Sequence, residues 1–182
     1  MYEVELKFPL ADPQSFRRRL AACGARPGAT IVQSDLYFNH PVRDFGQTDE
    51  AFRVRVSDGR GFVTYKGPLV DTQTKTRREI EVALGGDDAV NKFAEILKRL
   101  GFRPVREVKK RREKHHLSWQ GRDYEVALDD VADLGVFAEF ETIADEAGRR
   151  AATDAILALV SQFQLPSPER KSYLALLLAK SP

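Results

Sequence analysis

An α+β fold is predicted for this chain: a closed eight-stranded antiparallel β-barrel with a charged lumen and helices packed outside. Three observations lead there. Segments that alternate as strands outnumber helical ones two to one, and turns such as Ser57-Asp58-Gly59-Arg60-Gly61 and Gln120-Gly121 join neighbours, which favours an antiparallel sheet. Four strands carry like charges two residues apart: Glu3 and Glu5, Arg53 and Arg55, Glu79 and Glu81, Glu139 and Glu141. The chain also repeats itself: Glu3-Val4-Glu5, a helix and Arg26-Pro27 recur as Glu79-Ile80-Glu81, a helix and Arg103-Pro104, with spacings of 23 and 24 residues.

Taken in order, the first strand covers about residues 2–8, with Glu3, Glu5 and Lys7 on one face and Val4, Leu6 and Phe8 on the other. Asp12-Pro13 supplies an N-cap and a first-turn proline for a helix carrying Phe16 and Leu20 and ending at Gly24. Alternating strands are expected at about 31–38, 51–57, 61–66 and 76–84, and a second helix at about 87–100, stopped by Gly101. Strands at about 104–117, 122–129 and 136–142 follow, then a helix from Asp145 to Phe163 with Ala152, Ile156 and Leu159 inward. The last helix is expected to begin at Ser167-Pro168 and to carry Tyr173, Leu174, Leu177 and Leu178. No linker or low-complexity tract interrupts the chain, so residues 1–182 are read as one domain, large enough to bury a core.

The apolar strand faces, including Ile80 and Val82, need cover from the helices. The opposite faces carry Glu3, Glu5, Lys7, Arg53, Arg55, Lys66, Arg77, Glu79, Glu81, Lys110, Arg112, Lys114, Asp129, Glu139 and Glu141, seven acids and eight bases. An open sheet wetted on that side is the plain alternative, with cross-strand ion pairs contributing about 0.2–1 kcal/mol each. Segregation of sign by strand argues for closure instead. A closed interior of this kind requires water, hard cations for the carboxylates and an anion for the arginines and lysines. Carboxylate clusters suit Mg²⁺ or Mn²⁺, and clustered arginine and lysine suit phosphate. Together they describe a metal-chelated polyphosphate.

Composition sets the remaining bounds. Net charge is only +2, with 29 bases against 27 acids, which argues against a nucleic-acid binder. Cys23 is the single cysteine, so no intrachain disulfide forms, and a reducing, cytoplasmic setting is expected. No signal-like stretch is read at the start, and the longest apolar run, Leu174 to Ala179, is too short to span a membrane.

These residues resemble the CYTH superfamily, the triphosphate tunnel metalloenzymes. Glu3-x-Glu5-x-Lys7 is similar to the ExExK opening strand, and RVR at 53–55, YKGP at 65–68, REIEV at 78–82, KKRRE at 109–113, ALDDVADLG at 127–135 and FAEFE at 137–141 follow in order. Tyr37-Phe38-Asn39-His40-Pro41, Arg43-Asp44-Phe45 and Arg170-Lys171-Ser172-Tyr173-Leu174 look like the class IV adenylyl cyclase branch. The resemblance implies Glu3, Glu5, Glu139 and Glu141 as ligands of Mg²⁺ or Mn²⁺, with Asp129, close by, included in the metal set. It implies Lys7, Arg53, Arg55, Lys66, Lys110 and Arg112 as contacts to the triphosphate, with Lys171 as a further one. Tyr37 and Lys66 match a pair that activates water in some family hydrolases.

The implied activity is conversion of ATP to cyclic AMP and pyrophosphate. Hydrolysis of inorganic tripolyphosphate or thiamine triphosphate is the rival, and non-catalytic binding of a polyphosphate or nucleotide the third reading. The expected partner is a small triphosphate, with no nucleic acid, no membrane and a homodimer left open. Surface roles are expected for the neighbouring His115 and His116, packing for Cys23, and a hairpin-capping role for Trp119.

Overall fold

Charge on one side of each strand and apolar residues on the other give the sheet two incompatible faces, and closure into a ring separates them. The computed structural model describes residues 1–180. In chain order it contains β1 (Tyr2–Pro9), α1 (Pro13–Ala22), β2 (Arg26–Asn39), β3 (Ala51–Ser57), β4 (Arg60–Lys66), β5 (Arg77–Leu84), α2 (Ala89–Arg99), β6 (Arg103–Trp119), β7 (Arg122–Val131), β8 (Gly135–Ala144), α3 (Arg149–Ser161) and α4 (Tyr173–Lys180). The strands form a closed antiparallel barrel in the order β1-β5-β4-β3-β2-β6-β7-β8, with the helices outside it.

Register carries the charge pattern around the ring. Glu5 lies opposite Glu141 and Lys7 opposite Glu139 on β1 and β8, Arg55 faces Asp35 across β3 and β2, and Lys66 faces Glu79 across β4 and β5. Directly opposed residues share a face, so all of these point inward. The ring closes most sparingly between β1 and β5, where Tyr2 pairs with Arg78 and Glu3 with Arg77, extended by the Lys75 amide donating to the Glu5 carbonyl at 2.9 Å.

The repeat seen in the sequence is a repeated unit of structure. β1-α1-β2 and β5-α2-β6 each run strand, helix, strand, and α1 and α2 end alike. Gly24 (φ 82°) and Gly101 (φ 87°) take the left-handed conformation, while Ala25 N–H donates to Leu20 O at 3.0 Å and Phe102 N–H to Leu97 O at 2.9 Å. This is the Schellman arrangement, which a β-carbon would strain at the glycine. Asp12 caps α1 by accepting the Ser15 amide at 2.9 Å.

The outer apolar faces of β1, β7 and β8 meet α1 and α3 in the largest core, where Val4, Phe16, Val126, Phe140, Ile156, Leu159 and Phe163 are fully buried. Removing a ring such as Phe140 to alanine costs about 3–5 kcal/mol in such a setting. α2 covers Val54 and Phe38 through Ala94 and Leu97, and α4 lies on Val108, Val131 and Phe137 through Tyr173 and Leu177.

Several expectations are corrected. Ile80 and Val82 are not covered: they stand 47% and 59% exposed on β5, because α2 lies over β3, β4 and β6 while α3 lies over β1 and β8. The last helix begins at Tyr173 rather than Ser167, because residues 169–171 bond outward. Glu169 N–H donates to Lys7 O at 2.7 Å, the Arg170 guanidinium donates to Thr72 O and Asp71 O, and the Lys171 carbonyl accepts from Lys7 Nζ. Ser172 then caps the helix by accepting the Ala175 amide at 3.1 Å. β2 begins at Arg26, five residues before the expected 31, where it meets β6. His115 is buried rather than a surface residue, 3.2 Å from Glu113, whereas His116 is exposed. Cys23 is exposed rather than packed. Trp119 does end a hairpin strand, ahead of a turn in which Gln120 and Gly121 both have positive φ.

Candidate active site

Inside the ring is a cavity of about 240 Å³, lined by seven acidic and nine basic side chains. Eleven of the thirteen residues singled out as site candidates line it: Glu3, Glu5, Lys7, Tyr37, Arg53, Arg55, Lys66, Lys110, Arg112, Glu139 and Glu141. Lys110 and Arg112 face inward from β6, while Lys109 and Arg111 are exposed. The other two candidates stand elsewhere. Asp129 lies behind the lining, fully buried, and Lys171 is exposed at one mouth of the tunnel.

The cationic side is held by carboxylates set behind it. Asp35 accepts from Arg55 Nε at 2.6 Å, Arg55 Nη2 at 2.8 Å and Arg53 Nη1 at 3.2 Å. Burial opposes the charge on Asp35, but the two arginines hold its carboxyl below the usual range. Asp129 does the same service on β6 and β7. It accepts from Lys110 Nζ at 2.8 Å, from Arg112 Nε at 2.7 Å and from the Tyr173 hydroxyl at 3.0 Å. Arg53 is buried, and its Nε–H has no acceptor. A buried donor left unpaired is costly, and an anion in the cavity would satisfy it.

Lys7 is a buried cation without an ion pair among the described residues. Burial, reinforced by the charge of Lys75, pushes its ammonium down to about 7 against the opposing pull of Glu139 and Glu5. Its Nζ donates to the Lys171 carbonyl and sits 4.2 Å from the centre of the Tyr173 ring.

The acidic side differs carboxylate by carboxylate. Lys66 Nζ bridges Glu3 at 2.8 Å and Glu79 at 2.6 Å, Lys75 Nζ holds Glu5 at 2.6 Å, and Arg112 bonds Glu139. Burial raises Glu3, whereas the bond from Glu3 and the charge of Lys66 overcome burial and bring Glu79 down to about 2. Glu141 has no cation in contact with it among the described residues; burial, with Glu3 and Glu5 nearby, pushes it up to about 8. Glu125, Glu141 and Glu5 stand side by side across β7, β8 and β1. Among the described residues no three such side chains already converge on one point as a metal site. The donor set nevertheless fits a hard divalent cation. Its oxygens are carboxylate oxygens, and a buried carboxylate facing two others is relieved by positive charge.

Sequence pattern missed five lining or supporting residues: Asp35, Lys75, Glu125, Ser172 and Tyr173. Lys75 has the parity of Arg77, Glu79 and Glu81 but precedes the strand; Asp35 has the parity of Tyr37; Glu125 has that of Asp129. Ser172 and Tyr173 come from the chain that crosses the mouth, where no periodicity announces a site. At that mouth a groove of about 540 Å³ adjoins the cavity, with Tyr37, Ala51, Arg77 and Ser172 lining both. Phe45, Leu69, Leu174 and Leu178 give it apolar walls.

Comparison with known proteins agrees with this geometry. The CYTH domain matches residues 1–173. A protein of Methanocaldococcus jannaschii, named provisionally as an adenylate cyclase, is 37% identical over 179 residues, covering 97% of this chain and 98% of its own. The PH1819 protein of Pyrococcus horikoshii OT3 has the same fold, with a TM-score of 0.87 and 37% identity over 98% of this chain and 99% of that one. A Hippeastrum protein, HpAC1, named provisionally as an adenylyl cyclase and described as having a dominant triphosphatase activity, has a TM-score of 0.66 at 15% identity, covering 99% and 97% of the two chains, and shares the fold alone. With a match that runs from the first strand into the last helix, this chain belongs to the CYTH domain family.

Proposed function

We propose that this chain is a metal-dependent enzyme acting on triphosphates, and that its reaction is the adenylyl cyclase one: ATP to cyclic AMP and pyrophosphate. The observation that carries the reading is the facing of two charge sets across one small cavity. Arg53, Arg55, Lys66, Lys110 and Arg112 stand against Glu3, Glu5 and Glu141, and the buried Arg53 Nε–H awaits an acceptor. A triphosphate with its chelated metal neutralises both sets at once.

In this reading Arg53 and Arg55 hold phosphate oxygens by their forked donors, and Lys7, Lys66, Lys110 and Arg112 take the rest. Glu3, Glu5, Glu139 and Glu141 would hold Mg²⁺ or Mn²⁺, which when bound supplies neutralisation of charge on the transferring phosphoryl group. Asp129 and Asp35 act through the cations they orient. Positioning and charge stabilisation are what displacement at phosphorus asks of a protein. The 3′-hydroxyl of the ribose attacks the α-phosphorus, and pyrophosphate leaves against the arginines. The groove beside Tyr37 and Ser172 offers an organic head group a partly apolar place, which supports a nucleoside triphosphate over inorganic tripolyphosphate. The cyclase name of the archaeal relative supports the same reading. A cytoplasmic setting, where such substrates abound, fits it.

A triphosphatase is the second reading. Tyr37 and Lys66 both line the cavity, and the Hippeastrum protein's activity shows that this fold can host such chemistry. Incubation with ATP, tripolyphosphate and thiamine triphosphate, in Mg²⁺ and in Mn²⁺, separates the two. Equal cyclic AMP and pyrophosphate from ATP supports the cyclase; orthophosphate from tripolyphosphate without cyclic AMP from ATP establishes the hydrolase.

A further inference from the structure

Lys75 is held in the lumen by a loop shaped for that purpose. Asp71 Oδ1 accepts the amides of Gln73 and Thr74 at 2.7 and 2.9 Å, Val70 N–H donates to Thr76 O at 2.9 Å, and the fully buried Thr74 and Thr76 hydroxyls pair at 2.6 Å. These bonds turn the Lys75 side chain into the cavity, where it is 8% exposed and its Nζ meets Glu5 Oε1 at 2.6 Å. Two residues along β1, Lys66 Nζ occupies Glu3 in the same manner at 2.8 Å. Both carboxylates of the first-strand pair thus carry a lysine ammonium on one oxygen, in competition with any cation. Glu141, directly opposite Glu5, has no such partner.

We propose that Lys75 is an exchangeable counter-ion: it neutralises Glu5 until a chelated triphosphate enters and then moves to a phosphate oxygen. The inference rests on the triphosphate reading and adds to it a substrate-binding lysine and a coupling. A cation arriving alone at Glu5 must expel the Lys75 ammonium from its one ion pair among the described residues, which burial makes unfavourable, whereas Lys66 would keep Glu79 at 2.6 Å. A triphosphate arriving alone must draw the same ammonium from Glu5 and leave that carboxylate bare. Arriving together, the two ligands exchange partners without leaving either charge unpaired. Each therefore raises the affinity of the other by the same factor, since linkage between binding sites is reciprocal. The rival account makes Lys75 a closure element only. That role belongs to its main-chain amide, which bonds Glu5 O at 2.9 Å and is retained when the side chain changes.

Calorimetric titration of wild type, Lys75→Met and Lys75→Arg with Mn²⁺ alone, with tripolyphosphate alone in chelator, and with each in the presence of the other tests this. Free Mn²⁺ is followed independently by its paramagnetic resonance signal, and a thermal melt checks that each variant folds. The wild type should show mutual enhancement of at least about fivefold. Lys75→Met should bind Mn²⁺ alone at least about fivefold more tightly and tripolyphosphate alone more weakly, with the enhancement reduced; Lys75→Arg should resemble wild type. Wild type that binds both ligands without enhancement, or a folded Lys75→Met with unchanged or weaker Mn²⁺ affinity, overturns the exchange and leaves the triphosphate reading intact. Wild type that binds neither ligand, alone or together, overturns both.

Discussion

The ammonium of Lys7 rests 4.2 Å from the centre of the Tyr173 ring, and the hydroxyl of that ring donates to Asp129 Oδ2 at 3.0 Å. One aromatic side chain from the first turn of α4 therefore joins the ExExK lysine to the carboxylate that orients Lys110 and Arg112. No carboxylate forms an ion pair with Lys7 among the described residues, so its charge is held by a carbonyl and by ring faces.

That arrangement gives anion binding a pH dependence. Burial holds Lys7 at about 7, well below an ordinary lysine, so above that pH it is largely neutral. Binding a polyanion restores its proton. Tripolyphosphate binding at pH 8 should take up protons, with an uptake of up to about one assigned to Lys7, and its contribution to affinity should weaken as pH rises from 7 to 9. Calorimetry in buffers of different ionisation enthalpy measures the uptake, and Lys7→Met should remove the Lys7 component. Unchanged uptake in that variant would show that the proton goes elsewhere.

Catalysis should require a divalent metal, and Glu5→Gln should reduce turnover by at least about a hundredfold while leaving the melting temperature near that of wild type. The motive is the row of Glu125, Glu141 and Glu5 across three strands. Undiminished turnover in excess chelator would remove metal from the scheme.

Arg53→Ala and Arg55→Ala should each weaken triphosphate binding by about tenfold or more, since a charge-assisted hydrogen bond contributes about 1.5–3 kcal/mol. Arg→Lys should recover part of it, because the fork is lost but not the charge. A triphosphate should raise the melting temperature of wild type more than that of either variant. Equal shifts would place these arginines outside the binding site.

Asp35 offers a stability test apart from activity. Its folded-state carboxyl titrates below the unfolded value of about 3.9, so its contribution is full above that value and is lost as pH falls below it. Asp35→Asn should destabilise the protein at pH 7 by about 3 kcal/mol, by leaving two buried guanidinium groups without their carboxylate. The gap to wild type should narrow below about pH 3.5. Denaturant titration at both pH values reads it out.

The role of Tyr37 separates the two chemistries. In a cyclase, 3′-deoxy-ATP lacks the attacking hydroxyl and should bind and inhibit without reacting, and Tyr37→Phe should act modestly, through positioning of its strand neighbour Arg53. In a hydrolase that uses Lys66 with Tyr37, 3′-deoxy-ATP should release phosphate, and Tyr37→Phe should lower kcat more than it raises KM. Chromatography of products with both proteins decides between them.

The sequence exposed the tunnel more fully than the residues that tune it. Strand parity places Glu3, Glu5, Arg53, Arg55, Lys110 and Arg112 on one face because period two is enforced along each strand. It says nothing about which charge from another strand stands opposite. The pairing of Asp35 with Arg53 and Arg55 depends on the β2–β3 register, and Lys75, though in phase with Arg77 and Glu79, stands in the loop ahead of β5, where no strand alternation carries it inward. Ser167-Pro168 is a good helix start signal locally, yet the last helix begins only at Tyr173, because Glu169 and Arg170 find partners in β1 and the 71–72 turn. Ile80 and Val82 keep a buried strand's alternation although no helix reaches them.

The seam between β1 and β5 holds the ring shut with fewer paired residues than any other junction, and it is also where Glu3 is brought to Lys66 and Glu79. Closure of the barrel and the bridging of Glu3 and Glu79 by Lys66 therefore depend on the same seam. Parting that one seam would draw the first-strand carboxylates away from Lys66 and Lys75 together, so the shortest ladder of the ring carries both the closure of its wall and the pairing of its charges.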